Sequence, residues 1–216
     1  METMIKGIVF DLDGTLLNTL SDLTKSVNYV LEDYGRECLS EDDVRKRVGR
    51  GFKNLMSQSL NSEDDLLLEE AVGKFEYYYD QFYMDETFAY AGIKELLKEL
   101  SKKGIKFCVN TNKKTAYAKR LIEYIFDDID FVEVIGQRDG VGIKPDPTSC
   151  LELIELMGLN KDEVIYLGDG GTDYHTSINA GIDFVGCSWG YRGREALEEL
   201  GVSKIIDEPK ELLKYI

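Results

Sequence analysis

The sequence predicts an α/β protein with a Rossmann-like, three-layer core on a parallel sheet and an all-helical segment inserted after the first strand. Three observations carry that expectation. Short apolar runs alternate with stretches of helical periodicity, the pattern of a parallel sheet buried between helices. Glycine or proline punctuates most joins, as at Gly104, Pro145 and Gly181. Between residues 18 and 88 no strand-like run occurs, and roughly 70 helical residues are too many for a simple crossover.

The elements follow in order. "IKGIVF" (5–10) is apolar enough for a buried central strand. The insert then contributes "LSDLTKSVNYVLEDYG", "SEDDVRKRVG", "FKNLMSQSL" and "EDDLLLEEAVGKFEYYYDQFY", all of helical character. Its tyrosines 77, 78, 79 and 83 fall at mixed helical positions and suit a packed helix face. Beyond it come a helix over 93–103, a strand over 105–110 (IKFCVN) and a helix over 114–125. A strand over 131–135 (FVEVI), a helix over 147–157 and a strand over 163–168 (EVIYLG) continue the alternation. A helix over 173–180, a strand over 183–187, a helix over 193–200, a weak strand over 204–206 and a helix over 209–215 complete it. The expected domains are a core of residues 1–17 and 89–216 and a helical cap of residues 18–88.

Composition narrows the function. With 216 residues, 43% hydrophobic and 31% charged, the chain has the balance of a folded globular protein. A net charge of −15 argues against nucleic acid or an anionic membrane as partner. It also repels phosphorylated molecules at long range, so any anion site must be built locally from a metal, a few lysines and backbone amides. Cys38, Cys108, Cys150 and Cys187 form no CxxC pair and suit buried thiols in a reducing compartment. Without a basic-then-apolar leader or a long apolar run, the expectation is a cytoplasmic protein, monomeric or homodimeric.

Ligands of an open parallel sheet bind at the carboxyl ends of its strands. Asp11 and Asp13 follow the first strand; Thr111, Asn112 and Lys113 follow the second. Lys144 lies in the loop after the third, in "GIKPDP", and Asp169 and Asp173 follow the fourth, in "YLGDGGTD". Singly, each is an ordinary cap, turn or surface residue. Together, these carboxylates, a hydroxyl and a lysine at one sheet edge suit phosphoryl transfer. Oxygen ligands of this kind suit Mg²⁺. One carboxylate can act as nucleophile and a second, two residues on, can carry the proton. A hydroxyl and an ammonium supply donors for the phosphoryl oxygens.

"DLDGT", "NTNK", "KPDP" and "GDGGTD", in that order, resemble the four motifs of the haloacid dehalogenase-like hydrolases. "AGIKELLKELSKKGIKFCVNTNK", "VGRG" and "SWGYR" are similar to the phosphoglycolate phosphatase-like branch. The resemblance implies a HAD-like fold and a Mg²⁺-dependent phosphatase acting on a small phosphorylated metabolite through an aspartyl phosphate. Alternatives within the family are a β-phosphoglucomutase-like phosphomutase, a pyrophosphatase or a nucleotidase. It implies Asp11 as nucleophile, Asp13 as general acid and base, Thr111 and the Asn112 backbone at the phosphoryl oxygens, and Lys144 paired with the Asp11 carboxylate and the transferring phosphoryl group. Mg²⁺ would be bound by Asp11, the Asp13 carbonyl and Asp169, with Asp173 as a further ligand or support. Asp13 speaks against dehalogenation, which has no leaving oxygen to protonate.

The chain departs from the branch pattern at Asn18 (usually Asp), Gly170 (commonly Ser or Thr) and Ala91 (usually Pro). None of these removes a group the chemistry requires. The lone histidine, His175, is expected to be structural or at the surface. In "VGRGFKN", Arg50 and Lys53 form a candidate loop for substrate contact, with Arg50 the candidate binding residue.

Overall fold

A computed structural model of the chain describes residues 4–216. The chain divides into two compact units, Met1–Leu17 with Ala89–Ile216, and Asn18–Phe88.

The larger unit is built on a six-stranded parallel sheet. Its strands are β1 (Gly7–Phe10), β4 (Lys106–Lys114), β5 (Val134–Gln137), β6 (Val164–Gly168), β7 (Asp183–Cys187) and β8 (Ile205–Ile206). β2 (Leu17–Asn18) and β3 (Phe88–Ala89) are two-residue strands where the chain passes between units. The order in the sheet is β5-β4-β1-β6-β7-β8. β1 is fully buried at the centre, as its unbroken apolar sequence requires. The chain builds outward from β1 to β4 and β5, then returns to place β6 on the other side of β1. That reversal makes the carboxyl end of β1 a topological switch point, where the loops diverge and leave a crevice.

Helices α5 (Ile93–Lys102), α6 (Thr115–Ile125), α7 (Thr148–Met157), α8 (Gly171–Ala180) and α9 (Gly193–Glu199) connect the strands. On one sheet face Val9, Cys108 and Tyr166 pack with Cys150, Leu153 and Met157 of α7 in a single apolar cluster. On β1 and β4, Phe10 meets Phe107 edge to face at 6.2 Å. All four cysteines are unpaired, and only Cys38 is exposed.

The structure departs from the sequence expectation in the bounds of β4 and β5 and in the type of the final helix. β4 runs to Lys114 and not to 110, because its pairing with β5 resumes past an irregularity: Asn110 faces Ile135, and Lys114 faces Gln137. Thr111, Asn112 and Lys113 therefore lie within the strand, on a bulge, and not in a loop after it. β5 begins at Val134, since Phe131 packs instead against Phe107 and Phe126. The final helix, Pro209–Tyr215, is 3₁₀.

The smaller unit holds α1 (Leu20–Asp33), α2 (Glu41–Arg47), α3 (Gly51–Leu60) and α4 (Asp65–Phe82). Asp64 caps α4 by accepting from the Leu66 and Leu67 amides, and Ser40 caps α2 through the Asp43 amide. Its core is aromatic: Phe52, Phe75 and Tyr79 lie 4.7–5.6 Å apart by ring centre. Tyr79 and Tyr83 are buried in that face, whereas Tyr77 is exposed and the Tyr78 hydroxyl donates to Asp33. Asn18, the departure with no evident consequence in the sequence, accepts from the Leu20 amide through Oδ1 and so opens α1, as an aspartate would.

Candidate active site

Register brings the chemistry together. Phe10, the last residue of β1, pairs with Val109 on one side and Leu167 on the other. The residues that follow therefore emerge side by side: Asp11 after β1, Thr111 to Lys113 on the β4 bulge, and Asp169 after β6. The loop before α7 adds Lys144, and the first turn of α8 adds Asp173.

Asp11, Asp169 and Asp173 are all buried, and each offers a carboxylate oxygen within 4.8 Å of the others. Into this cluster reaches Lys144, itself buried. Its Nζ donates to Asp11 Oδ1 at 2.7 Å, to Asp173 Oδ1 at 2.6 Å and to the Tyr166 hydroxyl at 3.3 Å. Tyr166 in turn donates to the Asn110 carbonyl. Burial, then the neighbouring Asp173, pushes the Asp11 carboxyl well above the usual range despite Lys144. The same two causes raise Asp169 to about 7. Burial works against the Lys144 ammonium, yet Asp11 and Asp173 outweigh it and hold that group well above its ordinary value.

Asp13 is served by a different cation: Lys113 Nζ lies 3.1 Å from its Oδ1, with the lysine side chain only 1% exposed. The Thr111 hydroxyl oxygen accepts from the Lys113 amide. Asn112 spends its side chain on the Lys144 backbone, accepting from its amide at 2.8 Å and donating to its carbonyl at 3.1 Å. That clamp fixes the loop from which Lys144 reaches Asp11.

The family model of the haloacid dehalogenase-like hydrolases matches residues 8–187, a span that holds every one of these groups. The chain belongs to the haloacid dehalogenase-like hydrolases. Within this hydrolase family it falls on the phosphatase side. It is 30% identical to the phosphoglycolate phosphatase of Haemophilus influenzae over the full length of both chains. It is 28% identical to that of Psychrobacter arcticus, covering 97% of this chain and 94% of the other. A solved structure from Haemophilus somnus, described as a predicted phosphoglycolate phosphatase, superposes with a TM-score of 0.90 at 28% identity over 98% of both chains. One from Lactobacillus delbrueckii subsp. bulgaricus does so at 0.91 and 26% over 97% of both.

In this haloacid dehalogenase-like site the donor set fits a hard divalent cation. Three buried carboxylates face one buried ammonium, so the cluster carries uncompensated negative charge, and oxygen is the only donor type it offers. Asp173 divides its oxygens between Lys144 and the Gly170 amide, which leaves it better placed to support the cluster than to lead it. Asp169 is fixed from behind by the Tyr191 amide, which donates to Oδ2 at 2.6 Å. The chain around it is tight. A Cβ on Gly190 would stand 2.3 Å from both Asp169 Cβ and the Gly14 carbonyl oxygen, and one on Gly14 (φ +89°) 2.5 Å from Asp169 Oδ2. Beside them the Trp189 indole donates to the Thr15 carbonyl at 3.0 Å.

Asp11, Asp13, Thr111, Asn112, Lys144, Asp169 and Asp173 thus all lie in the larger unit at the carboxyl edge of its sheet. Arg50 is in the helical unit, exposed, at the residue before α3. Lys53 lies within α3 and pairs with Asp65, so it belongs to a helix and not to the loop the sequence suggested. His175 is exposed, and its ring nitrogen meets the Gly171 carbonyl one turn back on α8. Sequence reasoning placed Lys113 at the sheet edge without giving it a role, and left Tyr166 and the Tyr191 amide out of the site.

Proposed function

We propose that the protein is a Mg²⁺-dependent phosphatase of a small phosphomonoester, phosphoglycolate or a close analogue, acting through an aspartyl phosphate on Asp11. The observation that carries this is the buried pairing of Asp11 with Lys144 beside Asp169 and Asp173 at the switch point of the sheet. The relatives named phosphoglycolate phosphatase support the substrate class.

In this mechanism Lys144 orients the Asp11 carboxylate, which attacks phosphorus while the bond to the leaving oxygen breaks. The Thr111 hydroxyl, the Asn112 amide and Lys144 hold the phosphoryl oxygens as their charge spreads. Asp13 gives a proton to the leaving oxygen; its carboxylate then takes one from the water that releases phosphate from Asp11. Asp11, the Asp13 carbonyl and Asp169, with Asp173 as a further ligand or support, would hold Mg²⁺, which supplies positive charge against the phosphoryl group when bound. That local field lets a chain of net charge −15 accept an anion.

Residues 18–88 serve as a cap that selects the substrate, with Arg50 contributing to its binding. The unpaired thiols suit a reducing cytoplasm.

The test is phosphate release from a panel of phosphorylated metabolites, with Mg²⁺ and with chelator, by the wild type and by Asp11→Asn. Hydrolysis that needs the metal and falls to background in Asp11→Asn is the expected result. Wild-type turnover in that variant would remove Asp11 as nucleophile.

A further inference from the structure

The two aspartates of "DLDGT" lean on separate lysines. Lys144 is committed to Asp11 and Asp173, whereas Lys113 meets Asp13. Burying an ammonium costs several kcal/mol, about what a surface chain never spends without compensation. Lys113 is nevertheless 3% exposed overall, and the fold fixes its backbone closely. Its carbonyl oxygen packs onto Gly136 of β5, where a Cβ would stand only 2.1 Å away. Its amide donates to Thr111 Oγ1, and two residues on, Thr115 Oγ1 accepts from the Gly136 amide at 3.0 Å. With Asn110 paired to Ile135 on one side and Thr115 bonded to Gly136 on the other, the β4 bulge is pinned to β5 around Lys113, whose ammonium lies at Asp13 and away from solvent.

We infer that Lys113 is a positioning residue for proton transfer: it holds the Asp13 carboxyl group at the leaving-group oxygen. The inference rests on the phosphatase reading, in which Asp13 carries the proton. In that step an Asp11 oxygen forms a bond to phosphorus, the bond from phosphorus to the leaving oxygen breaks with its electron pair, and the Asp13 proton passes to that oxygen. A neutral alcohol departs, and Asp13 is left as a carboxylate beside the Lys113 ammonium. The Lys113–Asp13 contact is therefore still in place when the leaving group has gone, and the geometry of Asp13 is kept through both halves of the reaction.

Proton donation matters for a basic alkoxide and little for nitrophenolate, which leaves unaided. The test compares kcat/KM for 2-phosphoglycolate and for p-nitrophenyl phosphate in wild type, Lys113→Met and Lys113→Arg, since this ratio reports steps up to phosphorylation of Asp11. We expect Lys113→Met to lose roughly 100-fold or more on the alkyl ester, the scale of general acid catalysis, and at least tenfold less on the aryl ester. Lys113→Arg should recover most of the loss. In an Asp13→Ala background, Lys113→Met should cost nothing further on the alkyl ester. Equal losses on both esters, or a rise in KM alone shared by both, would overturn the assignment and leave Lys113 a structural or phosphate-binding cation. If Lys113→Met does not fold, Lys113→Gln and Lys113→Arg, compared at a temperature where circular dichroism shows both native, decide the same question. A wild type inactive on both esters would instead sink the phosphatase reading itself.

Discussion

Lys144 Nζ stands 2.7 Å from Asp11 Oδ1, across 133 positions of sequence, and both side chains are at least nine-tenths buried. Neither group would be tolerated there alone. The pair is held by remote elements: Asn112 on β4 clamps the Lys144 backbone, and Tyr166 on β6 receives a third donor hydrogen of the ammonium. Three strands of the sheet and the loop before α7 therefore converge on one ion pair. This is how an apolar strand can end in a buried carboxylate.

Removing that ammonium leaves Asp11 and Asp173 buried without their counter-charge. Lys144→Met, close in volume, should lose about 3–5 kcal/mol of stability, the cost of breaking a buried pair from one side. Urea unfolding measures this directly. Saturating Mg²⁺ should restore part of the loss by supplying positive charge to the same carboxylates. A variant as stable as wild type in chelator would mean that the carboxylates are compensated elsewhere.

Gly190 lets one loop close onto Asp169 and the Gly14 carbonyl together. Gly190→Ala would drive a methyl into both at 2.3 Å, and one of the two neighbours is backbone that cannot step aside. The expected result is a folded protein whose Mg²⁺ half-saturation rises about 10- to 100-fold, as when a support of a metal ligand is lost. The single tryptophan, Trp189, bonds to Thr15 beside this loop, so its fluorescence during a Mg²⁺ titration reports binding without turnover.

Much of this site was legible because strand ends are legible. Asp11 and Asp169 stand directly after apolar runs, and a parallel sheet sends such residues to one edge. The burial of Lys113 against Asp13 was not, since the apolar pattern of β4 stops at Val109 and "NTNKK" then reads as a polar loop. Which of two adjacent lysines is buried depends on the bulge against β5, a pairing no local pattern encodes. Asn112 shows the same limit: its side-chain partner is the backbone of a residue 32 positions away. The Tyr191 amide that fixes Asp169 is a main-chain donor and leaves no mark in side-chain chemistry at all. The helical insert was visible as a long strandless stretch, but not its packing, which rests on the Phe52, Phe75 and Tyr79 cluster.

Within the helical unit, Asp22 is 1% exposed and ties α1 to the segment before β3. It accepts from the Glu86 amide at 3.1 Å and from the Thr87 hydroxyl at 2.8 Å. Asp22→Ala leaves those donors unsatisfied and should cost about 1–3 kcal/mol. Because this tie lies where the chain leaves the unit, limited proteolysis should cut the 83–88 segment faster in the variant than in wild type. Equal cutting rates would show that other contacts hold the segment.

The carboxylate cluster also sets a pH dependence whose sign is opposite to the usual one. Burial, then Asp173, raises the Asp169 carboxyl to about 7, and Asp11 moves in the same direction. In an unfolded chain aspartate titrates near about 3.9. Across the interval between these values the folded, metal-free protein keeps a proton that the unfolded chain has released, so its stability falls as pH rises. The contribution of Asp169 is complete below about pH 4 and is lost as pH passes through about 7. Mg²⁺ held at the proposed site would compete with that proton, so the stabilisation it provides should grow across the same range. Melting temperatures in chelator and in saturating Mg²⁺, taken from pH 5 to pH 8, should diverge as pH increases. Asp169→Asn, which cannot titrate, should flatten the chelator curve relative to wild type and shrink the divergence. A Mg²⁺ effect that is constant over that range would mean Asp169 is already ionised at pH 5, and that the Tyr191 amide, with the charges of the neighbouring Arg192 and of Lys144, compensates it more fully than burial opposes it.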